Sequence, residues 1–243
     1  MDVKMIHIDE TDSTNRWLRE QGGEDDLVVV ADYQTAGRGC GTNTWESERG
    51  KNLLFSVLCH PMQVPANRQF AISQAIALAL SETLADYVDG VSVKWPNDIY
   101  VGDQKIGGIL IENKLQGTRI KECIIGVGLN VNQKRFMSDA PNPVSLCQLL
   151  GHEVDRTTLL DAILQRLSEN LNHFDELDAD YRKGLYRKEG YHPYRDHDGI
   201  FEAELVTVEG DGRLILKGRD GQLRAYAFKE VQYIIPETTI HLK

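Results

Sequence analysis

The chain is short of positive charge: 27 Lys and Arg stand against 37 Asp and Glu, for a formal net charge of −10 and a pI of about 5.2. A surface that grips nucleic acid needs clustered cations to displace phosphate counterions, so no nucleic-acid partner is expected. Long apolar runs are missing too. Nothing approaches the ~20 residues that cross a bilayer, and Met1 to Glu10 is a mixed polar segment unlike a signal peptide, so no membrane partner is expected. Cysteine is sparse and scattered (Cys40, Cys59, Cys123, Cys147), with no Cys-x-x-Cys pair. Cys59 and Cys123 fall in apolar, strand-like runs that suit small buried thiols, and a cytoplasmic, reducing compartment follows. The seven histidines lack zinc spacing. There is no Gly-x-Ser-x-Gly elbow, and no glycine-rich stretch ends in Gly-Lys-Ser/Thr or spells a dinucleotide fingerprint. The acidic run Asp175, Glu176, Asp178, Asp180 reads as a solvated helix end. Internal repeats and low-complexity segments are absent.

What is present is ordinary globular composition, 41% hydrophobic and 26% charged over 243 residues, which fits one main domain with a small appendage. Val3 to Asp9 alternates as a strand, Thr11 to Asn15 offers helix-capping side chains, and Gly22-Gly23 ends the helix. Leu27 to Tyr33 and Leu53 to Cys59 are buried strands by β-branched and apolar content. Asn67 to Val88 is a long helix apolar over most of its circumference, so it belongs inside the core. Val91–Trp95, Ile99–Val101, Ile106–Asn113 and Ile120–Val131 form a meander, with turns at Gly102-Asp103 and Gln116-Gly117-Thr118. Ser145–Leu150 and Thr157–Leu177 are helices. At Tyr191 to Arg195 the texture changes to a linker, and short strands from Gly199 to Phe228 predict a small antiparallel barrel of roughly fifty residues. The expected division is residues 1–190 and residues 191–243.

Three groupings carry chemistry. Gln34-Thr35-Ala36-Gly37-Arg38-Gly39 is a glycine-rich loop whose amides and forked guanidinium can meet an anion, although a flexible surface loop is an equal reading. Trp45, just beyond it, can cover an aromatic base. Ser13-Thr14-Asn15 caps a helix, and cap residues can also hold a polar ring. Lys94-Trp95-Pro96-Asn97-Asp98 and Lys105-Ile106-Gly107-Gly108 put two point charges around a tight turn, beside a glycine pair that lets something approach the backbone. Asp98 can hold Mg²⁺ through oxygen. Gly126 to Asn132 ends the last meander strand, and Asn130 can read an adenine edge.

These segments in this order resemble the biotin protein ligases (biotin–[acetyl-CoA-carboxylase] ligases), from about Ile6 to Leu150, with the small barrel resembling that family's SH3-like domain. The resemblance implies an α/β (α+β), class II synthetase-like catalytic domain with a mixed sheet and flanking helices. It implies ATP, Mg²⁺ and biotin as ligands: biotin is activated as biotinyl-5′-AMP and passed to a lysine of a biotin carboxyl carrier protein. By motif, Lys105, Arg38 and Lys94 would be the catalytic cations. Ser13, Thr14, Asn15, Gln34, Gly37, Gly39, Trp45, Asn97, Gly107, Gly108 and Asn130 would bind ligand, and Asp98 the metal. Two departures stand out. Many members follow Gly-Arg-Gly with another basic residue, whereas Cys40, Gly41 and Thr42 stand here, which predicts looser retention of the intermediate. The motifs also begin within fifteen residues of Met1, so no N-terminal DNA-binding domain is expected. A lipoate or octanoate ligase or transferase of the same fold, or a biotin sensor without activity, is the alternative, and the sequence leaves a homodimer open.

Overall fold

A computed structural model describes residues 3–137 and 142–235; the outer ends of both expected domains, with His241, lie outside the described residues. The chain runs β1 (Lys4–Thr11), α1 (Thr14–Gln21), β2 (Leu27–Gln34), β3 (Leu53–Cys59), α2 (Phe70–Ala85), β4 (Val91–Lys94), β5 (Asp98–Val101), β6 (Gln104–Gln116) and β7 (Arg119–Leu129). Three helices follow, α3 (Leu146–Leu150), α4 (Arg156–Asn172) and α5 (Asp178–Lys183), then β8 (Tyr191–Asp196), β9 (Gly199–Val208), β10 (Leu214–Gly218), β11 (Leu223–Tyr226) and β12 (Gln232–Tyr233).

The first seven strands form one mixed sheet in the order β1-β2-β3-β7-β6-β5-β4. Only β1 and β2 are parallel, because α1 carries the chain back between them. The other neighbours are antiparallel, with tight turns joining β4 to β5, β5 to β6 and β6 to β7, while β2 reaches β3 through the glycine-rich loop and β3 pairs with β7 across the sheet. Alternation along the strands divides the apolar residues between two faces. Val28, Val30, Phe55, Val57, Ile125 and Val127 join the main core with α2 and α4. Val29, Leu58 and Ile124 instead pack under Leu18 of α1. That two-sided cover explains the unbroken apolar run of β2. As its all-round apolarity predicted, α2 is buried over most of its surface.

Two expectations need correction. The segment expected to run as one helix to Leu177 stops at Asn172 and resumes as α5. The expected linker at Tyr191 to Arg195 is β8, the second-to-last strand of a five-stranded antiparallel sheet ordered β11-β10-β9-β8-β12. Pro193 hid it, since proline offers no N–H to a ladder; its carbonyl instead accepts from Ile234 N at 3.1 Å. The two sheets are tied together at the Trp95 turn, where the buried indole N–H donates to Gly212 O at 2.8 Å. No helix of the described residues is long and apolar enough to cross a membrane.

Trp95→Phe removes that donor and leaves the Gly212 carbonyl short of a partner. It is expected to lower unfolding free energy by about 1–3 kcal/mol, read as a lower urea midpoint at unchanged slope; an unchanged midpoint contradicts the role given to the indole.

Candidate active site

A cleft of about 660 Å³ opens on the α1 side of the large sheet. Its floor is one row of register partners across four strands: Lys94 on β4 faces Asp98 on β5, Asp98 faces Gly108 on β6, and Gly108 faces Gly128 on β7. A second row sets Ser56 on β3 beside Gly126 on β7 and Leu110 on β6. The glycines keep this floor flat. A Cβ on Gly128 would run into the Trp45 indole, and one on Gly126 into the Asn15 carboxamide.

Lys105 reaches the same face by a bulge. Lys105 lies three residues before Gly108, which in a regular strand would put it on the opposite side. The β5–β6 register shifts between Ile99 and Tyr100, so that Ile99 pairs with Gly107 and Tyr100 with Lys105. Ile106 is thereby the extra residue, buried in the core, and Lys105 turns into the cleft. Its own N–H and C=O find partners in Asn142 O (2.8 Å) and Val144 N (3.0 Å).

Both lysines share one carboxylate: Lys105 Nζ is 2.6 Å from Asp98 Oδ1 and Lys94 Nζ is 3.4 Å from Oδ2. Burial holds the Lys94 ammonium below its ordinary pKa, Asp98 pulls it back up, and Lys105 pushes it further down. Tyr100 and Tyr233 present their rings to Lys94 at 5.3 and 5.1 Å, a cation–π cover on its remaining sides. Asp98, expected as a magnesium ligand, therefore has another occupation. With an ammonium on each oxygen it does not suit a resident divalent ion, which would be repelled by two neighbouring charges.

At the other end the lining is neutral and hydrogen-bonded. Ser13 occupies the N-cap of α1, but its hydroxyl makes no capping bond; Asp12 Oδ1 accepts from Ser13 N at 2.6 Å instead. Gln34 Oε1 accepts from both Thr14 N (2.8 Å) and Thr14 Oγ1 (3.1 Å), replacing the expected Ser13 cap. The buried Ser56 hydroxyl lies 2.7 Å from Thr14 Oγ1 and 2.6 Å from Asn15 Oδ1. Asn15 Nδ2 donates to Glu112 Oε2 at 3.0 Å and to Leu110 O at 3.2 Å. Glu112 in turn pairs with Arg19 and, at 3.5 Å, with Arg38. A continuous polar chain thus runs from Gln34 across the floor to the glycine-rich loop.

That loop is a small hairpin closed by Gly39 N to Asn43 O (2.8 Å) and Trp45 N to Gly37 O (2.9 Å). It lays Trp45 over the glycine floor, half-buried rather than exposed, 5.7 Å from Lys105 Nζ. The indole N–H is buried with no partner among the described residues. Asn97 lines the cleft, and its Nδ2 donates to Ile109 O at 2.8 Å. Burial and the Asp98 charge push the Cys40 thiol up, while Lys105 and Lys229 draw it back.

The structure brings Ser13, Thr14, Asn15, Gln34, Arg38, Gly39, Trp45, Lys94, Asn97, Asp98, Lys105 and Gly108 to this one cleft. Three expected residues stand apart from its lining. Gly107 faces the core, where a Cβ would meet Leu129 and Ile99, because neighbours in a strand point opposite ways. Gly37 serves the closure of its own hairpin. Asn130 is buried, its Nδ2 holding Val144 O at 3.1 Å. Sequence reasoning missed Ser56, the lone polar residue of β3, and Glu112, a charge inside an apolar strand; both oddities were readable. It read Gly126 and Gly128 for the asparagines that follow them. It also missed Phe228, Lys229, Val231, Gln232 and Tyr233, which reach the cleft from the second sheet.

The sequence profile described as the biotin/lipoate A/B protein ligase family matches residues 6–130. The bifunctional ligase/repressor BirA of Bacillus spizizenii is 28% identical over 235 residues, covering 90% of this chain and 70% of that protein. A biotin--[acetyl-CoA-carboxylase] ligase of Mycobacterium tuberculosis is 30% identical over 187 residues, covering 72% of this chain and 68% of that protein. Among solved structures, the biotin protein ligase from Aquifex aeolicus in complex with biotin and ATP superposes with a TM-score of 0.81 at 27% identity, covering 96% of this chain and 99% of that one.

The shared carboxylate sets opposite expectations for its neighbours. Asp98→Asn leaves two close ammonium groups without a counter-charge and is expected to destabilise the fold by about 3 kcal/mol. Lys94→Met removes a desolvated charge and leaves a matched Lys105–Asp98 pair, so the melting temperature at pH 7 should hold or rise. Because the folded Lys94 pKa lies below the unfolded value, wild-type stability climbs as pH rises toward 10.5, and the advantage of Lys94→Met should shrink over that interval. Melting curves of the three proteins from pH 7 to 10 check both signs.

Proposed function

The chain belongs to the biotin/lipoate A/B protein ligase family, and from that premise we propose that it is an ATP-dependent biotin protein ligase that joins biotin to a lysine of the biotin carboxyl carrier domain of a carboxylase. The observation that carries the reading is the polarity of the cleft. Among the described residues, four cations, Arg38, Lys94, Lys105 and Lys229, line it against the one lining carboxylate, Asp98, in a protein of net charge −10. The opposite end is a neutral array of Ser13, Thr14 and Gln34. The cations suit a carboxylate and phosphates, and the neutral end suits a ring with paired donors and acceptors, such as a ureido group.

The first half-reaction sets a biotin carboxylate oxygen against the α-phosphorus of ATP; the bond to the pyrophosphate oxygen breaks and biotinyl-5′-AMP forms. In the second, the neutral amine of the carrier lysine attacks the acyl carbon, AMP leaves with its phosphate oxygen, and the nitrogen loses one proton. Two anions must meet in line, and fixed ammonium groups offset their repulsion in a site that does not reorganise. Lys105 and Arg38 take the carboxylate and the charge developing on phosphorus, Lys94 and Asn97 take the remaining phosphates, and Trp45 lies against the adenine. Asp98 holds the two lysines in register. Mg²⁺ belongs to the scheme as part of the ATP substrate. No side chain acts as a nucleophile.

In this reading residues 1–190 form the biotin- and ATP-binding unit and 191–243 the C-terminal unit; Val93 N to Gly184 O (2.8 Å) and Tyr186 N to Val93 O (2.9 Å) keep the chain with the first sheet up to that point. A cytosolic setting accords with four free thiols. The hydrogen-bonding chain along Thr14, Ser56 and Asn15 favours biotin over lipoate, whose acyl chain would ask for an apolar tunnel.

The test is the intact mass of a carrier domain incubated with this protein, ATP, Mg²⁺ and either biotin or lipoate. A gain of one biotin is expected, and a gain of lipoate, or none, overturns the reading. Lys105→Ala should lose most pyrophosphate release with an unchanged melting curve. Lys105→Arg should also be impaired, since a planar fork does not take the place of a compact ammonium.

A further inference from the structure

The turn that joins β11 to β12 brings Lys229 to the mouth of the cleft. Its backbone has a φ of 71°, a region that favours glycine, so the turn itself gives no reason for a lysine. No carboxylate pairs with its ammonium among the described residues; its recorded ring contact is its neighbour Phe228, at 5.6 Å. An unpaired ammonium, in a chain rich in carboxylates, thus faces a cleft that already holds three cations.

Its neighbour across the cleft decides what it does. Gly41 follows Cys40 in the glycine-rich hairpin, with a φ of 72°. A Cβ built on Gly41 would run into the Lys229 ammonium, so a side chain at position 41 and Lys229 compete for one space. The charges of Lys105 and Lys229 both draw the Cys40 thiol down, and its Sγ accepts from Asn97 Nδ2 at 3.1 Å. The loop therefore ends in residues without charge at the point where the second sheet delivers one.

We propose that Lys229 is a phosphate-binding residue of this cleft, supplying from the second sheet the cation that the Cys40-Gly41-Thr42 segment lacks, and so retaining the acyl-adenylate. The inference rests on the ligase reading above. It revises the expectation of loose retention drawn from Cys40 alone: the loop is deficient, the assembled site is not. It also makes the second sheet a part of the binding site.

The measurement is the dissociation rate of biotinyl-5′-AMP, and separately of biotin, from wild type, Lys229→Met, Cys40→Arg and the double variant, at low and high salt. Lys229→Met should release the adenylate roughly ten- to hundredfold faster, the loss of one charge-assisted hydrogen bond, and with a weaker salt dependence. Release of biotin, which carries no phosphate, should change far less. Cys40→Arg should change wild type little and recover much of the loss in the double variant. Equal adenylate release from wild type and Lys229→Met overturns the inference, as does equal acceleration for biotin, which would mark a structural role. A wild-type protein that releases no pyrophosphate from ATP and biotin overturns the ligase reading, and this inference with it.

Discussion

One cross-strand row constrains the rest of the molecule: Lys94, Asp98, Gly108 and Gly128, successive partners on four strands. Two lysines must remain charged close to one another while largely removed from water, and the Asp98 carboxylate between them makes that tolerable. The glycines beside it must stay bare, because the indole of Trp45 already rests on them. The opposite face of the same strands is core, so the row cannot slip by one residue without exchanging its charges for Ile99, Gly107 and Leu129. Apolar burial on the α2 side thus fixes the register that assembles charge on the α1 side.

The neutral end depends on a different device. Gln34, Thr14, Ser56, Asn15 and Glu112 hydrogen-bond in series, and the series ends on Arg38. Buried polar groups are costly unless each has a partner, and a completed chain of them is stiff. Stiffness has a use here. It ties the start of α1 to the arginine of the glycine-rich hairpin, so the neutral part of the cleft and its cationic part keep a set separation. Membership of the family and the polarity of the cleft both lead to biotin activation, and this separation is how one small protein can hold both ends of an acyl-adenylate.

Much of this was legible in the sequence, for local reasons. Lys94, Asn97, Asp98 and Lys105 sit on a short hairpin, so nearness in sequence is nearness in space. The meander strands announced themselves through turn residues, and α2 through its apolar circumference. The misses share a cause as well. Gly107 and Gly108 look equivalent as letters, but strand parity sends one to the core and the other to the cleft. The bulge at Ile106 has no turn residue to mark it, yet it decides which way Lys105 points. Ser13 has a good cap side chain, but the helix is capped by Gln34 from twenty residues away in the chain, a tertiary contact that no local signal encodes. Asn130 carries an amide whose chemistry suits a ligand edge, but its burial is a tertiary fact: Nδ2 is held by Val144 O and Oδ1 has no partner among the described residues.

The second sheet is where local reasoning stops altogether. Nothing in residues 191–235 resembles a binding motif, and taken alone the sheet is an appendage. Its placement changes that. Trp95 reaches out of the first sheet to bond Gly212, Tyr233 comes back to cover Lys94, and the Lys229 turn closes on the glycine-rich hairpin. The docking bond, the ring and the charge all meet the same Lys94 to Asp98 turn, so displacing the second sheet would expose Lys94 to water and remove a cation together. Exposure would relax the desolvation that lowers the Lys94 pKa and would weaken every charge in the cleft toward the polar medium, where the same attractions fall several-fold. Surrounded by an acidic exterior that disfavours anions elsewhere, the cations of such a cleft act on an anion the more strongly for being covered. Cover, in this fold, is what the second sheet supplies.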